Sequence, residues 1–264
     1  MVKKAEPKNP LSEVFGFPTS NKSERALHFQ TNRLCPFNNV VPNCTKVNAI
    51  HPEGVCSVLD SDGRATIICQ VRFQEDLLVG TEAAAFLFPE DSKWMIYPRV
   101  KLKDASGKSA GTVDMMLVSY NDDGFIADAG ALEILAPYKS RFAVAQLRNQ
   151  LAFARGDIRL ANRTNLSYDL RQSSREELLG RTIPKLAALR SLNMKLAIAV
   201  DDRQFPNLVD CEQVKASHAE ISWLTFGLHF DKPDNTYRLT LKQRAFTSGD
   251  ALQKLLDDEE LAVA

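Results

Sequence analysis

The chain has 264 residues, 44% of them hydrophobic and 25% charged, with 12 Gly and 12 Pro, a balance that excludes disorder and collagen-like repeats and is long enough to bury a full core. Its 33 basic and 33 acidic residues cancel, but unevenly, with a net of +7 over residues 139–203 and −6 over 47–91. No run reaches the ~20 apolar residues that cross a bilayer, and the N-terminus lacks a signal-type apolar stretch, so a cytoplasmic protein with no membrane contact is expected.

In chain order, residues 1–34 are polar and basic and read as an N-terminal, extended arm. Residues 35–73 carry four of the five cysteines and read as a small, loop-rich metal-binding module. Glu75 to Phe88 has the pattern of a helix that stops before Pro89, since the residue preceding a proline is driven out of helical geometry. Trp94–Leu102, Thr112–Tyr120 and Phe125–Leu135 are apolar runs separated by Asp104-Ala105-Ser106-Gly107 and Asn121-Asp122-Asp123-Gly124, the signature of a β-meander. Phe142–Arg155 and Arg175–Leu192 have helical spacing, the second despite Pro184. Met194–Val200 reads as a buried strand, and Ala216–Leu228 and Thr236–Phe246 as two further strands. The expected fold class is α/β: a core over 74–264 with a mixed central β-sheet flanked by helices.

Cys35, Cys44, Cys56 and Cys69 fall in a segment rich in Pro, Asn and Gly, which holds too little apolar surface to fold alone. Disulfides are disfavoured in a reducing cytoplasm, so a bound metal is the better account, contributing on the order of 10 kcal/mol to folding. A tetrahedral thiolate set suits either zinc or a single iron, and the spacing leaves both open. Cys211 reads as an ordinary free thiol. Asp114 and Glu133 each interrupt an apolar strand, where an unpaired carboxylate would be costly. Two acids on neighbouring strands are an arrangement that holds a divalent metal such as Mg2+ for phosphodiester hydrolysis.

Several segments together resemble the NotI restriction endonuclease family: Glu13-Val14-Phe15-Gly16-Phe17-Pro18, Leu34-Cys35-Pro36-Phe37-Asn38-Asn39, Val41-Pro42-Asn43-Cys44-Thr45-Lys46, Gly54-Val55-Cys56-Ser57 and Ile68-Cys69. The resemblance continues through Gly107-Lys108-Ser109-Ala110-Gly111, Val113-Asp114, Gly130-Ala131-Leu132-Glu133, Ser173-Ser174-Arg175, Lys195 to Val200 and Ala219 to Leu224. It implies a restriction-endonuclease-like core of the PD-(D/E)xK type. Asp114 and Glu133 would be its first and second acids, and the four cysteines would ligate a structural iron. It also implies binding of double-stranded DNA, with Arg171, Ser173, Ser174 and Arg175 in a Ser- and Arg-rich contact motif. Ten of the 13 cations over residues 139–203 are Arg, the side chain that grips phosphate bidentately. Symmetric cutting of two strands would call for a homodimer.

Two positions depart from the family pattern. Leu135 stands where a lysine or glutamine is expected two residues after the second acid, and Arg99 falls where a further acid is expected on the strand before Asp114. Lys101, on the face of its strand shared with Arg99, is the expected substitute amine. The alternative is a catalytically degenerate member that keeps the fold as a DNA-binding or interaction subunit.

Overall fold

The computed structural model describes residues 11–39, 41–44, 54–60, 62–136, 173–204 and 212–254, with the backbone alone at 173–179. The chain divides into two compact units.

The first unit contains a four-stranded antiparallel sheet in the order β2-β1-β3-β4, with β1 at Leu11–Val14, β2 at Phe17–Pro18, β3 at Val55–Leu59 and β4 at Ala65–Ile67. The tight turn between β1 and β2 takes left-handed backbone at Phe15 and Gly16. Helix α1, Glu24–Thr31, follows β2 and starts at Ser23, whose Oγ accepts the Ala26 N–H at 3.2 Å, satisfying a donor the first turn leaves open. Leu11, Val14, Phe15, Val55, Val58 and Ile68 form the core. Residues 11–31 therefore fold as two strands and a helix, not as an extended arm. Their apolar side chains are too few to announce a strand alone, and they are buried once β3 pairs with β1.

Beneath this sheet lies a fully buried ion pair. Arg72 donates from Nε to both oxygens of Glu13 at 3.1 and 3.2 Å, and Ser57 Oγ donates to Glu13 at 2.8 Å. Arg72 also reaches Glu75 at 2.8 Å and the Tyr237 carbonyl at 3.0 Å, and its guanidinium lies 4.1 Å from the centre of the Phe37 ring. Burial pushes the Glu13 carboxyl up, against the pull of Arg72 and Ser57.

The expected helix over 75–88 is shorter and preceded by a 3-10 segment, Gln70–Leu77, that breaks at Glu75 and Asp76. Helix α2 is Leu78–Leu87. The second unit is built on a six-stranded mixed sheet, in the order β10-β9-β8-β7-β6-β5. Its strands are β5 at Lys93–Lys103, β6 at Ser109–Tyr120, β7 at Ile126–Leu135, β8 at Leu196–Asp201, β9 at Ile221–Asp231 and β10 at Thr236–Thr247. Residues 227–240, at the far end of β9 and the start of β10, group with the first unit.

The β5-β6-β7 meander matches the expected runs and is antiparallel, whereas β7, β8 and β9 run parallel. Asp104 closes the first turn by accepting from the Ser106 and Lys108 amides, and Asn121 closes the second by accepting from Phe125 N, as short polar side chains do in tight turns. Strand β8 is buried along its whole length, which is why it reads as a continuous apolar run. Helix α3, Ser173–Ser191, includes Pro184 and packs on β6, with β5 and β7 alongside. Leu186, Ala188 and Leu189 join Val113, Leu135, Ile198 and Trp223 in the core. The expected helix at Phe142–Arg155 lies outside the described residues, as does Cys211.

Candidate functional site

The meander register places the two acids. Met115 pairs with Leu132, so one step further sets Asp114 beside Glu133, and side chains directly opposite in an antiparallel pair point to the same face. Asp114 Oδ2 accepts the Ile134 N–H at 2.9 Å, which fixes its carboxylate across the strand gap. Glu133 is 1% exposed. Its Oε1 accepts from Lys185 Nζ at 2.7 Å, and its Oε2 lies 3.7 Å from Arg181 Nη2. Burial first, and then the Asp114 carboxylate, raises the Glu133 carboxyl above its ordinary range, while Lys185 and Arg181 pull it back.

Lys185 is itself 5% exposed, and lysine is rarely buried to this degree unless paired. Gly111 on β6 leaves room for its stem. The glycine has φ +108°, and a Cβ there would stand 3.3 Å from Lys185 Cε. Sequence reading did not single out Lys185 or Arg181, yet a signal was present. Thr182, Lys185, Leu186 and Leu189 are all buried, and their spacing puts the lysine on the apolar stripe of α3, where a surface lysine does not belong.

Among the expected partners, Arg99 holds the position facing Asp114 between the pairs Pro98↔Met115 and Val100↔Val113, but with left-handed backbone at φ 55° and an exposed side chain. Among the described residues it makes no ion pair with Asp114. Lys101 pairs in register with Thr112 and is exposed; among the described residues it touches neither carboxylate. Leu135 is buried in the core with Leu186 and Leu189. Strand alternation puts it on the Glu133 face, under α3, where a charged end would displace apolar packing.

The four clustered cysteines converge in the first unit. Cys35, Cys44, Cys56 and Cys69 line one small cavity together with Phe15, Leu34, Gly54 and Val71. Cys56 and Cys69 are buried, and Cys35 and Cys44 are half-buried. The Gly54 N–H points at Cys44 Sγ, 3.4 Å away, and the φ of +82° at Gly54 lets its backbone approach, where a Cβ would run into the Phe15 ring. Burial pushes the Cys35 thiol up, and the neighbouring Cys69 and Cys44 add to this against the amides of Phe37 and Asn38. Among the described residues no group of three or more His, Cys, Asp or Glu side chains is placed so that it could hold a metal ion.

Of the residues expected to contact DNA, Arg171 lies outside the described residues. Ser173, Ser174 and Arg175 form the first turn of α3, with their backbone alone described. Among the described residues no helix is long and apolar enough to cross a membrane.

No curated protein matches the chain. A family model described as Restriction endonuclease NotI matches residues 22–239, a span that takes in the four clustered cysteines, both acids and Lys185. With most of its length matched, the chain belongs to the NotI restriction endonuclease family.

Proposed function

We propose that this restriction-endonuclease-related protein binds double-stranded DNA as a homodimer and hydrolyses phosphodiester bonds with Mg2+ held by Asp114 and Glu133. The observation that carries the reading is the side-by-side placement of the two carboxylates on one face of the β6-β7 pair. The donor set suits the ion: hard carboxylate oxygens, one of them buried with its charge disfavoured by burial and by its neighbour, so that an added divalent cation would relieve the repulsion. Bound there, Mg2+ would polarise the phosphate and neutralise the charge that builds on it. The chain's own contribution is to fix Asp114 through the Ile134 amide and to orient Glu133 through Lys185. Arg171, Ser173, Ser174 and Arg175 would contact the DNA backbone near the start of α3.

The same reading assigns Cys35, Cys44, Cys56 and Cys69 to a structural iron, with zinc as the alternative ion. Four thiols lining one small cavity, together with a backbone N–H aimed at one sulfur, support it, since such donors orient and tune thiolate ligands. Elemental analysis of the purified protein distinguishes the two metals. Serine at Cys56 or Cys69 should abolish the bound metal and lower the melting temperature.

Two observations favour a second reading, a catalytically silent DNA-binding member: the Glu133 oxygens already face two cations, and Leu135 lacks a polar end. Incubation with mixed-sequence DNA and Mg2+ tests the two. Discrete fragments that disappear in Asp114→Asn support hydrolysis; intact DNA with a retained gel shift supports the silent reading.

A further inference from the structure

We propose that Lys185, delivered from α3, is the amine of the hydrolytic site, taking the role that Leu135 leaves empty on β7. The inference rests on the reading of Asp114 and Glu133 as the metal-holding pair and assigns a residue that the family pattern does not place.

Three observations converge on Lys185. Its Nζ stands 2.7 Å from Glu133 Oε1, so it is already within the space the carboxylates define. Its stem passes Gly111, where a Cβ would stand 3.3 Å from Lys185 Cε and would be strained on a backbone at φ +108°. Leu135 is packed under α3 in the core, so the strand end that would otherwise carry a polar group is committed to packing, and α3 supplies the only buried amine described beside Glu133. Arg181 does not fill the role as well. Its guanidinium stands off at 3.7 Å and its side chain is 37% exposed, which makes it a rim cation that can keep Glu133 partly compensated when Lys185 turns toward substrate.

In the reaction, a water oxygen forms the new bond to phosphorus while one phosphorus–oxygen ester bond breaks. The electron pair of that bond leaves on the departing oxygen, which takes up a proton, and the attacking water releases its proton to solvent. Lys185 Nζ has three N–H donors. With one on Glu133, the others are available to hold the attacking water and a non-bridging phosphate oxygen as negative charge grows. A donor of this kind is worth roughly 100-fold or more in rate.

The test compares the full-length protein with Lys185→Met, Lys185→Arg and Asp114→Asn. Four quantities are read: cleavage of mixed-sequence DNA with Mg2+, Mn2+ affinity without DNA, gel shift on the same DNA with Ca2+, and thermal melting. Lys185→Met is expected to lose cleavage by roughly 100-fold or more, to keep the gel shift, and to bind Mn2+ at least as tightly as the native protein because a competing cation has left Glu133. Lys185→Arg keeps the charge pair and hence the fold, but a planar guanidinium does not reproduce a compact ammonium. It is expected to lose at least about tenfold in rate with native Mn2+ affinity, and it decides the matter if the Met variant does not fold. Native cleavage rates in a folded Lys185 variant overturn the proposal, as does a folded Lys185→Met that has lost Mn2+ binding, which would make the lysine a prop for the carboxylates. Failure of the underlying reading looks different: the native protein leaves DNA intact and Asp114→Asn leaves Mn2+ affinity unchanged, and the assignment of Lys185 falls with it.

Discussion

At the scale of single residues, the site depends on where a few atoms are absent as much as on where charges are present. Gly111 is the clearest case. Replacing it with Ala forces a side chain onto a backbone at φ +108° and crowds Lys185 Cε. Gly111→Ala should therefore cost about 1–3 kcal/mol in denaturant unfolding and reduce any cleavage more than it reduces DNA binding. The carboxylates were legible in the sequence because each interrupts an apolar strand, and the meander register then set them side by side. Lys185 was not legible as a partner. Its contact with Glu133 spans 52 residues, and the helical pattern around it marks a packed face without naming the group that a lysine there would meet. Strand alternation points to Lys101 instead, yet the same alternation that puts it on Arg99's face also leaves it exposed.

At the scale of elements, two ion-pair networks carry opposite lessons about charge. Glu13 and Arg72 are both fully buried, and Arg72 ties β1 to the 3-10 segment and to the Tyr237 carbonyl. Removing one partner leaves the other charge stranded, so Arg72→Met should destabilise the protein by about 3–5 kcal/mol in equilibrium unfolding. The double variant Glu13→Gln with Arg72→Met should recover part of that loss. Arg190 joins Glu220 and Asp250 closer to the surface, where Glu220 also accepts the Gly249 amide at 2.7 Å. The hydrogen bond from Arg190, supported by the Gly249 amide, holds the Glu220 carboxyl below its ordinary range. A carboxyl with a depressed folded value stabilises the fold while ionised, and that contribution fades as pH falls through the folded value. Glu220→Gln should therefore cost up to about 1 kcal/mol at neutral pH, and the gap from the native protein should close below the ordinary carboxylate value of 4.5. A gap that persists unchanged in acid would assign the loss to packing.

The meander and β8 were readable at this scale because their apolar runs and turns are local, and so were the strands β9 and β10, except that the strand expected from Ala216 begins at Ile221, after a 3-10 turn at Ala216–His218. The strands β1 and β2 were not, because four and two residues give no period; β1 becomes a strand by pairing with β3, more than 40 positions away, and β2 by pairing with β1. The break at Glu75 and Asp76, with φ 50° at Asp76, likewise shortened the helix expected there. Its apolar run begins earlier than its helical backbone.

At the scale of the whole molecule, the resemblance to the NotI restriction endonuclease family was readable from the sequence segments around Cys35, Cys44, Cys56 and Cys69 and from those around Asp114 and Glu133, and the family match over residues 22–239 agrees. Four thiols on one cavity in the first unit and two acids under α3 in the second give each unit its own candidate chemistry. Metal at the cysteines is expected to support folding of the first unit. Chelation should accordingly lower the melting temperature, with recovery on adding back Fe2+ under reducing conditions, and an unchanged melting curve would remove the metal from the folding account. The central claim remains that Asp114 and Glu133 form a working divalent-metal pair. It is tested most directly by incubating the purified protein with mixed-sequence genomic DNA and Mg2+, beside Asp114→Asn. The account predicts discrete fragments from the native protein and none from the variant. DNA left intact by a native protein that still shifts it on a gel would contradict the claim.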